Sequence, residues 1–147
     1  MEIRPLAAAD LPALLQLYAH LHQEDDPLPE KEVIESVWQQ IEADDNHTYF
    51  GLFQAEQLLG SCVLCIIPNL TRGLKPYGVI ENVVTHADHR RQGYGRLVLE
   101  HALQHAWSQN CYKVMLLTGR KSEAVFGFYE SVGFDRHAKQ AFLAKPQ

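Results

Sequence analysis

The residues best suited to chemistry in this chain of 147 residues lie in one short segment, Arg90-Arg91-Gln92-Gly93-Tyr94-Gly95-Arg96. It holds three of the chain's seven arginines, although the formal net charge of the chain is −5. Because glycine has no Cβ, the backbone at Gly93 and Gly95 can turn tightly and let a ligand approach its amides. A local concentration of cations in an acidic protein indicates an anion site and not general basicity.

The elements on either side of this segment fit that interpretation. The apolar run from Val79 to Thr85 predicts a buried strand, and the apolar spacing that follows predicts a helix from about Gly93 to Gln109. The first turn of a helix offers unpaired N–H groups and the positive end of the helix dipole, and both suit a phosphate group.

Two other phosphate-binding patterns do not match. A P-loop ends in Gly-Lys-Ser/Thr, whereas Gly95 is followed by Arg96-Leu97. The dinucleotide-binding pattern needs a third glycine where this chain has Val98. The residues alone leave one alternative open, a glycine turn flanked by solvated arginines.

The order Arg90-Arg91-Gln92-Gly93-Tyr94-Gly95 fits the pattern Arg/Gln-x-x-Gly-x-Gly and resembles the acyl-CoA pyrophosphate loop of the GNAT superfamily of N-acetyltransferases. The segment Phe128-Tyr129-Glu130-Ser131-Val132-Gly133-Phe134 supports the resemblance, which covers residues 77–134 by motif and the remainder by element order. Three further segments are similar to glucosamine-6-phosphate N-acetyltransferases: Ile80 to Val84, Cys111 to Lys113 and Gly127 to Tyr129.

The resemblance implies acetyl-CoA as cosubstrate and no metal. It implies that the amides of Arg91 to Arg96 receive the pyrophosphate, and that an N–H near Val84 polarises the thioester carbonyl. Ser122 stands where many members have an asparagine that contacts the cofactor, and a serine can still donate a hydrogen bond. The residues implied to contact the cofactor are Val83, Val84, Thr85, Arg90, Arg91, Gln92, Gly93, Tyr94, Gly95, Arg96 and Ser122.

Acyl transfer to an amine needs a neutral amine and a proton for the departing thiolate. Tyr129 matches the family position of the general acid to sulfur. Glu81 is the candidate base, because a carboxylate inside an apolar strand is costly to bury without a purpose. The alternatives are a half-buried core tyrosine, and an ion pair of Glu81 with Arg72 or Lys75.

The resemblance implies transfer of an acetyl group from acetyl-CoA to the primary amine of a small molecule, directly and through a tetrahedral intermediate. Glu24 and Asp25 could attract a cationic amine, and Arg72 and Lys75 could meet a phosphate or carboxylate on the acceptor. Solvated loops explain all four equally well. Two other functions remain open: acetylation of a protein N-terminus or lysine, and non-catalytic binding of acyl-CoA by a regulator.

The length predicts one domain over residues 1–147. Strands are predicted near residues 2–6, 48–54, 58–68, 79–85 and 112–118, with one or two more from Phe134 and about Ala138 to Leu143. Helices are predicted from Asp10 to Gln23, Pro29 to Ala43, Gly93 to Gln109 and Ser122 to Ser131. This order is that of the GNAT fold, of class α/β (α+β), with a mixed, mostly antiparallel sheet of six to seven strands flanked by about four helices.

Composition limits the partners, the location and the metal sites that this protein can have. The acidic balance argues against nucleic acid as a partner, and the absence of a long apolar run argues against a membrane and favours a cytoplasmic enzyme. Cys62 and Cys65 lack a second cysteine pair for zinc, and His101 and His105 are expected to be solvated. A homodimer is possible, because many members of the superfamily are dimers and the tail after Phe134 is short.

Overall fold

The computed structural model describes residues 1–147 as a sheet with helices on both faces. The strands are β1 (Glu2–Pro5), β2 (His47–Gln54), β3 (Gln57–Ile67), β4 (Tyr77–Thr85) and β5 (Val114–Leu116). The helices are α1 (Leu11–Tyr18), α2 (Lys31–Glu42), α3 (Tyr94–Ser108) and α4 (Glu123–Ser131). Strands lie in chain order; all neighbours are antiparallel except β4 and β5, which are parallel. The predicted mixed, mostly antiparallel sheet and its four helices are confirmed.

The predicted number of strands is wrong, because the sheet has five strands and not six or seven. The residues after α4 form no strand, and Phe142 in the expected last strand is 90% exposed. A strand needs a neighbour for its N–H and C=O groups, and no segment of the chain pairs with the outer side of β5. The sheet therefore ends in an unpaired edge at β5.

Two apolar clusters fix the helices to the sheet. On one face α3 contributes Val98, Leu99, Ala102 and Ala106, which are buried at the predicted helical spacing against β2, β3 and β4. On the other face Leu14 and Leu17 of α1 and Trp38 of α2 pack with residues of β2, β3 and β4. None of the helices has the length and apolar character that crossing a bilayer requires.

The first helix begins and ends differently from the prediction, which placed it from Asp10 to Gln23. The Asp10 carboxylate does not cap it, because it accepts two hydrogen bonds from the Arg4 guanidinium at 2.7 and 2.9 Å and one from the Ala7 amide at 2.8 Å. These bonds lower the pKa of Asp10 and tie β1 to the start of α1. The helix ends at Tyr18, and residues 22–30 are exposed and irregular.

A bulge in β4 separates the two halves of this strand. Ser61 of β3 pairs with Val84, but Val63 pairs with Glu81, so β4 contains one extra residue. Asn82 takes the left-handed φ of 51° at this point. A bulge bends a strand and increases its local twist, and bulges are common beside functional sites.

The pairing between β4 and β5 stops where the bulge begins. β5 pairs with β4 only from Gly78 to Ile80, so β5 is shorter than the predicted run from Tyr112 to Thr118. From Glu81 to Thr85 the β5 side of β4 has no strand partner. The backbone of this part of β4 is therefore open to a ligand.

Candidate active site

The loop between β4 and α3 presents a row of unused backbone donors. None of the amides from Arg91 to Arg96 donates a hydrogen bond to another group of the protein. Arg91 and Gly93 take left-handed φ angles of 59° and 84°, and Gly93 is the residue before α3. Successive N–H groups in such turns, at the start of a 15-residue helix, form a concave site for an anion.

The two glycines of the loop are needed for different reasons. A Cβ on Gly93 would meet no atom within 4 Å, so its role is the left-handed backbone angle. A Cβ on Gly95 would lie 3.2 Å from both Phe128 Cζ and Thr85 Oγ1. Gly95 therefore allows α3 to start close against α4 and the end of β4.

The three arginines are not three free charges. Arg90 donates from Nη2 to the His20 carbonyl at 2.7 Å and from Nε to the Thr85 carbonyl at 3.4 Å. Arg96 pairs with Glu100 at 2.7 Å along α3. Only Arg91 has a side chain without a hydrogen bond or ion pair, so it is the arginine best placed to meet an anion.

The remaining cofactor candidates lie around the same cleft. Gln92 and Tyr94 make only long hydrogen bonds, to the Asp88 carbonyl at 3.5 Å and to Gln54 Oε1 at 3.4 Å. Ser122 caps α4, because its Oγ accepts from the Val125 amide at 3.3 Å. The Ser122 hydroxyl hydrogen is not used in that bond and stays free to donate.

The three β4 residues implied to line the pantetheine arm follow the bulge. Val84 is buried in the cluster under α1, whereas Val83 is half-buried against the α3 cluster. Thr85 is half-buried at the end of the strand. Packing on both faces of the sheet holds this backbone in place while its β5 side stays open.

Tyr129 is half-buried on α4, with ring centroids 5.1 Å from Phe128 and 6.2 Å from Phe134. Burial raises the pKa of its phenol; the positive charge of Arg120 lowers that pKa, and the negative charge of Glu81 raises it. The Tyr129 hydroxyl makes no hydrogen bond within the protein. The group is therefore protonated at neutral pH and free to give its proton to a ligand.

Glu81 is exposed, which contradicts the premise that a buried carboxylate marks this position. It forms no ion pair with Arg72 or Lys75, so the structural alternative for Glu81 is also wrong. Its carboxylate lies in contact with solvent, beside the bulge residue Asn82 and close enough to influence Tyr129. The negative charge of Glu81 therefore acts on the phenol of the other catalytic candidate.

Arg120 is a site residue that sequence reasoning missed. It follows β5 and donates from Nη2 to the Leu21 carbonyl at 2.8 Å, across 99 residues of chain. Its charge also acts on Tyr129. No local pattern around Arg120 could have indicated this, because both partners are distant in sequence.

The four acceptor candidates form no ion pair with one another. Glu24 and Asp25 are exposed in the irregular segment 22–30 and form no ion pair. The Arg72 guanidinium lies over the Tyr112 ring, 5.9 Å from its centroid. Lys75 is exposed, and its carbonyl accepts a hydrogen bond from Asn69 at 3.3 Å.

The histidines of α3 are half-buried, so the expectation that they are solvated is wrong. The rings of His101 and His105 lie edge-on to Phe50, with centroids at 5.0 and 5.3 Å. Burial lowers the pKa of His101, and His105 adds to the effect. All three cysteines are free, and no group of three or more His, Cys, Asp or Glu side chains is arranged to hold a metal ion.

Comparison with known proteins agrees with this geometry. The Acetyltransferase (GNAT) family matches residues 11–134. A protein of Trypanosoma brucei brucei named glucosamine 6-phosphate N-acetyltransferase is 33% identical over 143 residues, which are 97% of this chain and 95% of the relative. A Schizosaccharomyces pombe protein of the same name is 31% identical over 100 residues, covering 65% of this chain and 87% of that protein.

Among solved structures, a protein of Agrobacterium tumefaciens str. C58 named in general terms as an acetyltransferase superposes with a TM-score of 0.93. It is 42% identical, and the match covers 99% of this chain and 100% of that chain. With the family match spanning all four helices and strands β2 to β5, the protein belongs to the acetyltransferase (GNAT) family and is an acetyl-CoA-dependent acyltransferase.

Proposed function

We propose that the protein transfers an acetyl group from acetyl-CoA to the primary amine of a small molecule. The observation that carries this proposal is the row of unpartnered amides from Arg91 to Arg96, next to the open edge of β4. A diphosphate needs several converging donors, and here the donors are not consumed by the protein. Arg91 adds an uncommitted positive charge.

The cosubstrate then runs from the loop along the cleft between β4 and β5. The amides of a pantetheine arm can pair with an open strand edge as an added strand would. The edge from Glu81 to Thr85 offers this, with Val83, Val84 and Thr85 along the arm. A backbone N–H near Val84 would stabilise the oxyanion when the amine attacks the thioester carbonyl.

Two groups donate and accept the protons in this acetyl transfer. The neutral amine forms the C–N bond, the tetrahedral intermediate collapses with cleavage of the C–S bond, and Tyr129 gives its proton to the thiolate. Glu81 accepts the proton that the amine loses, through water, because its exposed carboxylate is in contact with solvent.

We further propose an amino-sugar phosphate as the acceptor, with glucosamine 6-phosphate as the first to test. Two relatives above 30% identity carry the name of that activity. Arg72 and Lys75, in the loop between β3 and β4, would meet the phosphate. Glu24 and Asp25, after α1, would favour approach of the cationic amine.

A homodimer would remove the unpaired edge of the sheet. β5 has no outer neighbour, and Phe142 and Leu143 of the tail are 90% and 78% exposed. An exposed strand edge and exposed apolar side chains together favour pairing with a second copy.

The state of assembly is tested by light scattering. The full chain is expected to have the mass of a dimer, and a chain ending at Phe134 that of a monomer, because the tail is lost. The variant with Phe142→Ser and Leu143→Ser should dissociate at a higher concentration than the full chain. A monomeric full chain would contradict the dimer without affecting the chemistry.

Gly93→Glu is expected to weaken acetyl-CoA binding at least about 100-fold by calorimetry, because a carboxylate would stand where the diphosphate is bound and about 3 kcal/mol of charge-assisted hydrogen bonding would be lost. The matched control is Gly73→Glu. Gly73 has a similar φ of 67° and equally open space for a Cβ, but lies outside the loop. Unchanged affinity in Gly93→Glu would show that the cofactor is bound elsewhere.

Thiol release from acetyl-CoA is expected with glucosamine 6-phosphate, and at a higher KM with unphosphorylated glucosamine, because the loop cations lose their partner. Arg72→Gln should remove this difference. A polyamine, an amino acid, an aminoglycoside and a lysine-containing peptide complete the panel. Acetylation of the peptide alone would indicate a protein acetyltransferase, and cofactor binding without release for every amine would indicate a regulator.

The pH profile of kcat tests the two catalytic roles. Burial raises the pKa of Tyr129, so activity is expected to fall only above the ordinary phenol pKa of about 10. Tyr129→Phe should remove this descending limb and lower kcat at least about 100-fold, whereas Glu81→Gln should remove the ascending limb. The control is Tyr49→Phe, a half-buried phenol of β2 outside the cleft. If Tyr129→Phe keeps the descending limb, the role of Tyr129 is ruled out. If Glu81→Gln keeps the ascending limb, the role of Glu81 is ruled out.

A further inference from the structure

The turn directly after α1 is held by two arginines that come from opposite sides of the cofactor cleft. Arg90, before the glycine loop, donates to the His20 carbonyl at 2.7 Å. Arg120, after β5, donates to the Leu21 carbonyl at 2.8 Å. His20 and Leu21 lie two and three residues beyond Tyr18, the last residue of α1, so the two bonds fix the turn that follows the helix.

The Arg120 bond spans the cleft. α1 packs over β3 and β4. Arg120 lies four residues beyond the end of β5, where β5 no longer pairs with β4. The Arg120 amide donates to Thr118 Oγ1 at 3.2 Å, which fixes the turn that carries the side chain. The guanidinium therefore links the two walls of the site.

The charge of Arg120 is not neutralised by a carboxylate, because it takes part in no ion pair. Its positive charge lowers the pKa of Tyr129 against the effect of burial, while Glu81 and Cys62 raise it. Arg120 is thus the one cation among the titratable groups that act on this phenol.

We propose that Arg120 is a positioning residue for acetyl transfer, which holds Leu21, three residues after α1, across the cleft and keeps an unpaired positive charge near Tyr129. This inference rests on the proposed function. When the C–S bond breaks, the sulfur takes the Tyr129 proton, and the phenolate that forms is stabilised by the nearby guanidinium. The Arg120 bond also fixes Leu21, directly before the segment 22–30 that carries Glu24 and Asp25.

The positioning role of Arg120 is tested by steady-state kinetics of Arg120→Gln and Arg120→Lys. Arg120→Gln should raise the acceptor KM about two- to tenfold and lower kcat about tenfold, while the Kd of acetyl-CoA stays within about twofold. Arg120→Lys keeps the charge and a donor for the Leu21 carbonyl, so it should recover most of kcat. The matched control, Lys121→Gln, removes the same charge one residue away and should leave the acceptor KM unchanged. A rise in the acetyl-CoA Kd instead of the acceptor KM would overturn the assignment.

A second measurement does not depend on activity. In protein labelled with ¹³C at tyrosine Cζ, the Tyr129 resonance is identified by its loss in Tyr129→Phe. Its titration is expected to move to higher pH in Arg120→Gln and to stay in place in Arg120→Lys. Identical titrations in the native protein and Arg120→Gln would overturn the inference. A shifted titration without acetylation of any amine would overturn the proposed function and leave the pairing of Arg120 with Tyr129 standing.

Discussion

The structure depends on keeping backbone donors free in a place where a folded chain normally uses them. Buried or partly buried amides are almost always hydrogen-bonded within the protein, since an unpaired donor is costly. At the junction of β4 and α3, one short segment leaves its amides without hydrogen-bond partners in the protein. The left-handed turn at Gly93 points the amides outward, the missing Cβ of Gly95 lets the helix start close to its neighbours, and the first turn of α3 needs no internal acceptor.

The same constraint explains the opening beside β4. Parallel pairing with β5 stops after Ile80, so the strand edge that follows is free in the same way as the loop that it leads into. The bulge at Asn82 bends β4 at that point, and packing on both faces of the sheet holds the strand without help from β5. The candidate site therefore has two open segments of backbone, the strand edge from Glu81 to Thr85 and the loop from Arg91 to Arg96. Two of the three arginines of the loop bond groups of the protein itself, because Arg90 donates to the His20 carbonyl after α1 and Arg96 pairs with Glu100 within α3.

The two groups proposed to transfer protons and the arginine proposed as a positioning residue come from elements that meet only in the folded chain. Tyr129 lies on α4, Glu81 on β4 and Arg120 on the segment between β5 and α4. Burial and two opposite charges act on one phenol, so its protonation depends on the relative placement of three elements. The turn after α1 takes part as well, because its His20 and Leu21 carbonyls accept hydrogen bonds from arginines on both sides of the cleft.

The sequence by itself determined the features whose causes lie within a few residues. The glycine loop, the order of helices and strands up to α4 and the buried stripe of α3 follow from local backbone preferences and from side-chain periodicity. Tertiary structure decided the rest, since strand pairing and ion pairing join residues far apart in the chain. The apolar run of β5 is longer than the strand because β4 diverges from it, and the tail strands are absent because they find no partner. Glu81 is exposed although its strand is apolar, and Arg120 acquires its role from a carbonyl 99 residues away, which periodicity cannot report.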